Sequence, residues 1–175
     1  MVEMILKGVG MDIAQASLLV AVIAAIIGAL AIPPERVERG LAALIFWKKA
    51  PQVVIGVVVR NQDVLLVHRK PQNGSKLHWQ FPAGNYAAGK TAEQKVAEEV
   101  RQETGVSIDV DHKIGQRVHP HSHKVCAYYA CRYISGAEQN LDTAENIYVR
   151  WVDRTELEAY LGPSYFRAVK KFLTP

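Results

Sequence analysis

Four side chains between positions 98 and 103 are of the types that handle phosphate chemistry. They are Glu98, Glu99, Gln102 and Glu103, in the stretch AEQKVAEEVRQETG. At about 100° of helix per residue, Glu99 and Glu103 share one stripe and Glu98 and Gln102 the adjacent one, while Val96, Ala97 and Val100 form an apolar side. Like charges four apart weaken a helix by a few tenths of a kcal/mol, so an acidic stripe of this kind faces either solvent or a cation. Carboxylates this close suit Mg²⁺, a hard ion that takes one or two of them together with waters and substrate phosphates. A second cluster, His119-Pro120-His121-Ser122-His123, sets three imidazoles at alternate positions. The proline and the loop setting spoil strand alternation, and no cysteine stands beside it, which disfavours a transition-metal site. A substrate-facing loop, with His119 or His121 against a base or a phosphate, competes with a plain exposed loop. Arg69, Lys70 and Lys76 read either as phosphate contacts or as solvated surface. Trp79, Tyr128 and Tyr129 are the right shape to stack a nucleobase, although core packing is the more ordinary role of such rings. His68, His78 and His112 read as structural or surface.

The elements that position these groups follow from hydrophobic pattern and punctuation. Val53 to Arg60 and Val64 to Arg69 are rich in β-branched residues and separated by Asn61, Gln62 and Asp63, which predicts a β-hairpin. A polar loop runs from Pro71 to Lys76, and HWQFPAG reads as a short aromatic strand. Thr91 with Gln94 three residues later makes a capping box, so a helix starts near Ala92 and ends at Gly105, where glycine adopts a left-handed cap at least cost. Strands are predicted at Ser107 to Val110, Ile114 to Val118, Val125 to Ile134 and Tyr148 to Val152, and helices at Thr155 to Leu161 and Ser164 to Leu173. Strands and helices mixed without a regular βαβ rhythm predict an α/β/α layered sandwich. Cys126 and Cys131, the only cysteines, fall five apart on one strand, so they face opposite ways and do not pair; a reducing compartment suits them.

The first fifty residues are of another kind. Ile13 to Ile32 carries no charge, and ten of its twenty residues are Ile, Leu or Val. Such a run is about 30 Å long as a helix, the thickness of a bilayer core, and contributes roughly −3 to −6 kcal/mol to insertion. The pattern predicts a tail at 1–12, a transmembrane helix at 13–32, a juxtamembrane linker or interfacial helix at 33–50, and a globular domain at 51–175. A buried helix and a cleaved signal peptide ending near Ala29-Leu30-Ala31 are the competing readings. Lys7 alone precedes the apolar run, while Arg36, Arg39, Lys48 and Lys49 follow it, so the expected topology is a single pass through the cell membrane with the C-terminal domain in the cytoplasm. The small residues Ala21, Ala25 and Ala29 form a row compatible with a homodimer of helices. Overall, 49% hydrophobic and 22% charged residues in a 175-residue chain exclude disorder and fibrous folds, and leave room for one globular domain. A net charge of +4 without a basic stripe makes nucleic acid an unexpected partner.

Gly84 to Val106, GNYAAGKTAEQKVAEEVRQETGV, resembles the Nudix box, commonly written G-x5-E-x7-R-E-U-x-E-E-x-G-U with U aliphatic. Gly84, Glu99, Val100, Glu103, Gly105 and Val106 fall on the pattern without a gap. WQFPAG before it and TAENIYVRWVDRTEL after it also look Nudix-like, so the resemblance covers Gln52 to the C-terminus. It implies a Nudix-like α/β/α sandwich with a mixed sheet and a hydrolase of the pyrophosphate in a nucleoside diphosphate derivative, with Mg²⁺, or Mn²⁺ in its place, as cofactor and a nucleotide-type small molecule as partner; with the apolar run before it, the expectation is a membrane-anchored hydrolase. By resemblance Glu99 and Glu103 are metal ligands and catalytic residues, joined by Gln102 and the main-chain carbonyl of Ala83. Glu99 or a loop carboxylate would be the general base, Glu98, Lys90 and Glu145 would support the site, and Arg69, Lys76, His119 and His121 would bind substrate.

Three positions depart from the family. Lys90 stands where it has Glu, Glu98 where it has Arg, and Gln102 where it has the first of two paired Glu residues. An amide oxygen still binds a hard cation, but one formal charge is lost. The departures leave a second reading open, a catalytically impaired nucleotide sensor coupled to its membrane helix. The changes at 90 and 98 are reciprocal, which predicts an ion pair of reversed polarity between loop and helix. Lys90→Glu or Glu98→Arg alone then lowers stability or activity more than both together, with a coupling of about 0.2–1 kcal/mol in urea unfolding; additive effects would contradict the pair.

Overall fold

The computed structural model describes residues 22, 50–71, 78–87, 89–120, 122–163 and 165–174. By its contacts the chain divides into two units, Met1–Lys48 and Lys49–Pro175, and the fold described below belongs to the second. The predicted transmembrane helix at 13–32, its small-residue row and the linker lie outside the described residues apart from Val22 and Ala50, as do Lys76 and His121. Among the described residues, no helix is long and apolar enough to cross a membrane.

Among the described residues, seven strands and three helices follow Pro51: β1 Val53–Arg60, β2 Asp63–Arg69, β3 His78–Gln80, β4 Ala83–Asn85, α1 Ala92–Thr104, β5 Ser107–Val118, β6 Val125–Ser135, β7 Asn146–Asp153, α2 Leu157–Leu161 and α3 Arg167–Leu173. The path across the sheet is β3-β2-β1-β6-β5, with β7 beside β2 and β4 beside β1. β1 runs parallel to β6 and every other pairing is antiparallel, so the sheet is mixed as predicted. β1 and β2 pair only next to their turn, where Asn61 takes a left-handed φ of 57° that asparagine tolerates. Beyond the turn they part, and HWQFPAGN fills the gap as two short strands, β3 along β2 and β4 along β1. Pro82, which has no N–H to give to a ladder, separates them, and its carbonyl accepts the Gly56 N–H at 2.9 Å.

Two apolar layers face each other across this sheet. On one side Val54, Val58, Leu65, Ala127, Tyr129 and Cys131 pack on Val96 and Val100 of α1. On the other, Ile55, Val57, Val64, Leu66, Cys126, Tyr128 and Val152 pack on Leu157, Val169 and Leu173 of α2 and α3. Period-two alternation thus sends neighbours Tyr128 and Tyr129 into different layers, and Cys126 and Cys131 too; both cysteines are free.

Local chemistry sets the ends of α1. The Thr91 hydroxyl accepts the Gln94 N–H at 3.2 Å, the Gln94 amide oxygen accepts the Thr91 N–H at 3.0 Å, and Gly105 closes the helix at φ 72°. Elsewhere the boundaries depart from the sequence reading for physical reasons. The two strands expected at 107–110 and 114–118 are one strand, because bulges near Asp111 and Ile114 absorb the extra residues and let β5 stay paired with β6 throughout. α2 starts at Leu157 rather than Thr155, since the Thr155 N–H and hydroxyl are both taken by the Asp153 carboxylate. α3 starts at Arg167 because Phe166 still has an extended ψ of 118°.

α1 lies so close to β1 that a Cβ on Gly56 would stand 2.8 Å from Val100 Cγ2 and 3.2 Å from Val96 Cγ1. Gly56→Ala therefore overpacks this layer and lowers stability by about 1–3 kcal/mol in thermal or urea unfolding, while Val59→Ala, at the rim of the other layer, does not displace α1.

Candidate active site

The face of α1 that carries Glu99 and Glu103 lies against β4. Gly84 sits directly beneath Glu99, where a Cβ would overlap Cγ, Cδ and Oε1 of that side chain. One turn further on, Glu103 is only 4% exposed, and its Oε2 accepts the Ala83 N–H at 3.2 Å. Consecutive residues of one short strand thus brace the two carboxylates, and the Ala83 contact runs through its N–H. Burial pushes the Glu103 carboxyl up to about 8; the Ala83 hydrogen bond opposes this, the Glu99 charge adds to it, Arg69 opposes it and Asp142 adds to it.

The end of β2 and the turn before β7 bring further groups to the same place. Arg69 forms an ion pair with Glu145, and the Lys70 ammonium donates to the Thr143 carbonyl at 2.6 Å. The Lys70 N–H donates to the Glu145 carbonyl at 2.7 Å, and the Glu145 N–H to Asp142 Oδ1 at 3.2 Å, so the turn is tied to the strand end. A register shift in the β2–β7 ladder falls between His68 and Arg69. Arg69 goes with Glu145, while His68 stacks on Trp79 at 4.5 Å between ring centroids.

Lys90 and Glu98 make the reversed ion pair at 2.6 Å, and the Lys90 hydrogen bond holds the Glu98 carboxyl below the usual range. Gln102 donates its amide to Glu98 at 3.2 Å and shares an open groove on the outer side of α1 with Lys90, Gln94, Arg101 and Leu141. Gln102, predicted as a metal donor, is therefore engaged on the stripe beside the Glu99–Glu103 pair, because the nearest polar partner one turn back is Glu98. His119 belongs to the tip of the β5–β6 hairpin, where its Nδ1 accepts the Ser122 N–H at 3.2 Å. That tip meets β4 through Lys124, whose ammonium donates to Asn85 Oδ1 at 3.1 Å. Tyr128 and Tyr129 are core residues.

Two participants escape the sequence reading. Lys95 pairs with Glu99; its place one turn before Glu99 was visible, but a lysine at i−4 is common on helix surfaces. Asp142 is felt by Glu103 because the loop after β6 folds back onto the end of α1, with Gln139 and Leu141 donating to the Thr104 and Glu103 carbonyls at 2.9 and 3.1 Å. No pattern in a coil segment foretells that return. Among the described residues no three acidic, histidine or cysteine side chains converge as a ready-made metal cluster. The donor set still fits Mg²⁺, which needs one or two carboxylates and takes its remaining oxygens from water and substrate. Glu99, fixed over Gly84, and Glu103 would hold it, with Glu145 within the same turn system.

The family model of the NUDIX domain matches residues 50–172. The chain belongs to the Nudix family. A MutT-like protein of Streptomyces ambofaciens is 31% identical over 112 residues, 64% of this chain and 70% of that one. A putative nudix hydrolase 1 of Caenorhabditis elegans is 28% identical over 130 residues, 70% of this chain but 35% of that protein. Among solved structures, a NUDIX hydrolase from Nitrosomonas europaea shares the fold, with a TM-score of 0.57 and 22% identity over 70% of this chain and 85% of the other. This Nudix domain is thus of the pyrophosphohydrolase type, in a family that generally uses a divalent ion.

Glu103 sets a pH dependence with a definite sign. Its carboxyl is protonated in both states below about 4.5, and its burial costs most once it is ionised above about 8, so metal-free protein loses stability as pH rises between those values. Glu103→Gln removes this component, at most about 5 kcal/mol, and flattens the urea-unfolding profile over the same range.

Proposed function

We propose that this Nudix enzyme hydrolyses the pyrophosphate link of a nucleoside diphosphate derivative with Mg²⁺, or Mn²⁺, and that its N-terminal apolar segment anchors it in the cell membrane with the catalytic domain in the cytoplasm. The observation that carries the hydrolytic reading is the pair Glu99 and Glu103, braced from below by Gly84 and the Ala83 N–H, with Arg69 felt by Glu103. The uncharged run at 13–32 and the lysines and arginines after it support the anchor.

When bound, Mg²⁺ supplies Lewis-acid stabilisation of charge on the phosphate oxygens. The chain's own residues do the rest. Arg69 exchanges its Glu145 partner for a phosphate oxygen, a swap that suits a guanidinium fork. Glu99, prevented by Gly84 from leaving the face, accepts the proton of the attacking water as the P–O bond of the pyrophosphate breaks. Glu103 must give up its proton before it can act as an anionic donor, which favours activity at neutral to alkaline pH. Lys70 and the His119 hairpin tip, tied to β4 beside Gly84, border the place where the rest of the nucleotide lies. Self-association through the row Ala21, Ala25 and Ala29 completes the reading as a homodimer.

The test uses the full chain in detergent with Mg²⁺ and a panel of nucleoside triphosphates, dinucleotides and nucleotide sugars, reading released phosphate or monophosphate. Turnover is expected on at least one class, and it falls roughly 100-fold or more in Gly84→Ala, whose added methyl displaces Glu99, and in Glu103→Gln. Absence of turnover across the panel would refute the reading.

A further inference from the structure

Lys95 plays no part in the hydrolytic scheme, yet it is the cation set directly on Glu99. Its ammonium pairs with Glu99 Oε1, the same oxygen that lies against Gly84, and reaches Glu98 at 3.9 Å. Helix energetics do not explain the pairing. A lysine four residues before a glutamate is the weaker orientation of an i,i+4 pair, worth a few tenths of a kcal/mol at most. The pair is also sheltered, with 23% of the Lys95 and 16% of the Glu99 side chain exposed. Glu99 cannot rotate away from Lys95 into the space below, because Gly84 already fills the contact there.

Charge around the stripe points the same way. Gln102 brings no negative charge and is bonded to Glu98, and Glu98 is itself neutralised by Lys90. Glu145 is paired with Arg69. Of the carboxylates a divalent ion would use, Glu99 and Glu145 each already hold a basic side chain of this chain. A metal arriving at Glu99 must share Oε1 with an ammonium or expel it, and repulsion between the two cations is felt at short range.

We propose that Lys95 is a built-in counter-ion of the catalytic face, which competes with the divalent ion for Glu99 and sets the metal affinity of the site. The inference rests on the reading that a divalent ion binds at Glu99. It makes Lys95 a positioning residue acting through Glu99, and it means that the domain keeps its acidic face neutral, folded and available at low metal concentration.

The experiment measures Mn²⁺ binding without substrate, by calorimetry and by the paramagnetic resonance signal of free Mn²⁺, on the full chain in detergent. Lys95→Met is expected to bind Mn²⁺ roughly tenfold more tightly than wild type, from removal of one unit charge next to the ion, and Lys95→Arg to bind as wild type does. Lys95→Gln carries the same expectation should Lys95→Met not fold. In wild type, Mn²⁺ should speed reductive methylation of Lys95, read by mass spectrometry, as the ammonium is released from Glu99. Equal or weaker binding in the uncharged variants, or labelling of Lys95 that ignores Mn²⁺, overturns the proposal while leaving metal-dependent hydrolysis standing. No Mn²⁺ binding by any form overturns both, and a domain that binds Mn²⁺ with the expected order of affinities but turns nothing over refutes hydrolysis alone.

Discussion

The approach of α1 to the sheet is the constraint on which the rest depends. Two positions without side chains permit it, Gly56 beneath Val96 and Val100, and Gly84 beneath Glu99. The first lets the apolar side of the helix close one core layer, and the second lets its acidic side rest on β4. Because β1 and β4 are neighbours in one ladder, the two contacts are a single docking event. Packing in the core therefore places the carboxylates, and a methyl group at either glycine is felt at both.

Docking of this kind has an electrostatic cost, since it carries Glu103 out of water and leaves Glu99 beside it. The chain meets that cost with local cations and a main-chain donor: the Ala83 N–H at Glu103, Lys95 at Glu99, Arg69 at Glu145 and Lys90 at Glu98. The Lys90–Glu98 pair joins the loop to the helix with the basic end on the loop and the acidic end on the helix. Gln102 adds no charge to this face, because an amide can bond to Glu98 but cannot replace a carboxylate's charge at a metal.

Away from the acidic face, His68, Trp79 and Tyr148 form a ring stack across β2, β3 and β7, with centroids 4.5 and 6.2 Å apart. Tyr148 ends it and is 61% exposed, whereas Trp79 is also met edge-on by Tyr160 of α2. Successive residues of β2 thus serve different purposes, His68 in this stack and Arg69 on the helix side. Ordinary alternation along β2 turns the two to opposite faces, and the extra residue of the ladder, Ile147, falls on β7.

Most elements of the domain were legible from local rules. Runs rich in β-branched residues marked β1 and β2, and the Thr91–Gln94 box with Gly105 marked α1 to within a residue, since strand propensity and helix caps act locally and need no partner. The Glu99–Glu103 stripe was legible from helical spacing, whereas the Lys90–Glu98 pair was legible only from two reciprocal departures from the Nudix box. What the chain order could not convey was which strands would be neighbours. Only the folded sheet sets β4 under Glu99, brings the 142–146 turn to the end of β2 so that Glu145 meets Arg69, and buries Glu103 against Ala83. Residue types and spacing by themselves determined that this chain would form a carboxylate-bearing helix in a layered α/β fold. Tertiary structure decided which charges face one another, because desolvation and Coulomb attraction depend on distance through space, and 76 residues of chain separate Arg69 from its partner.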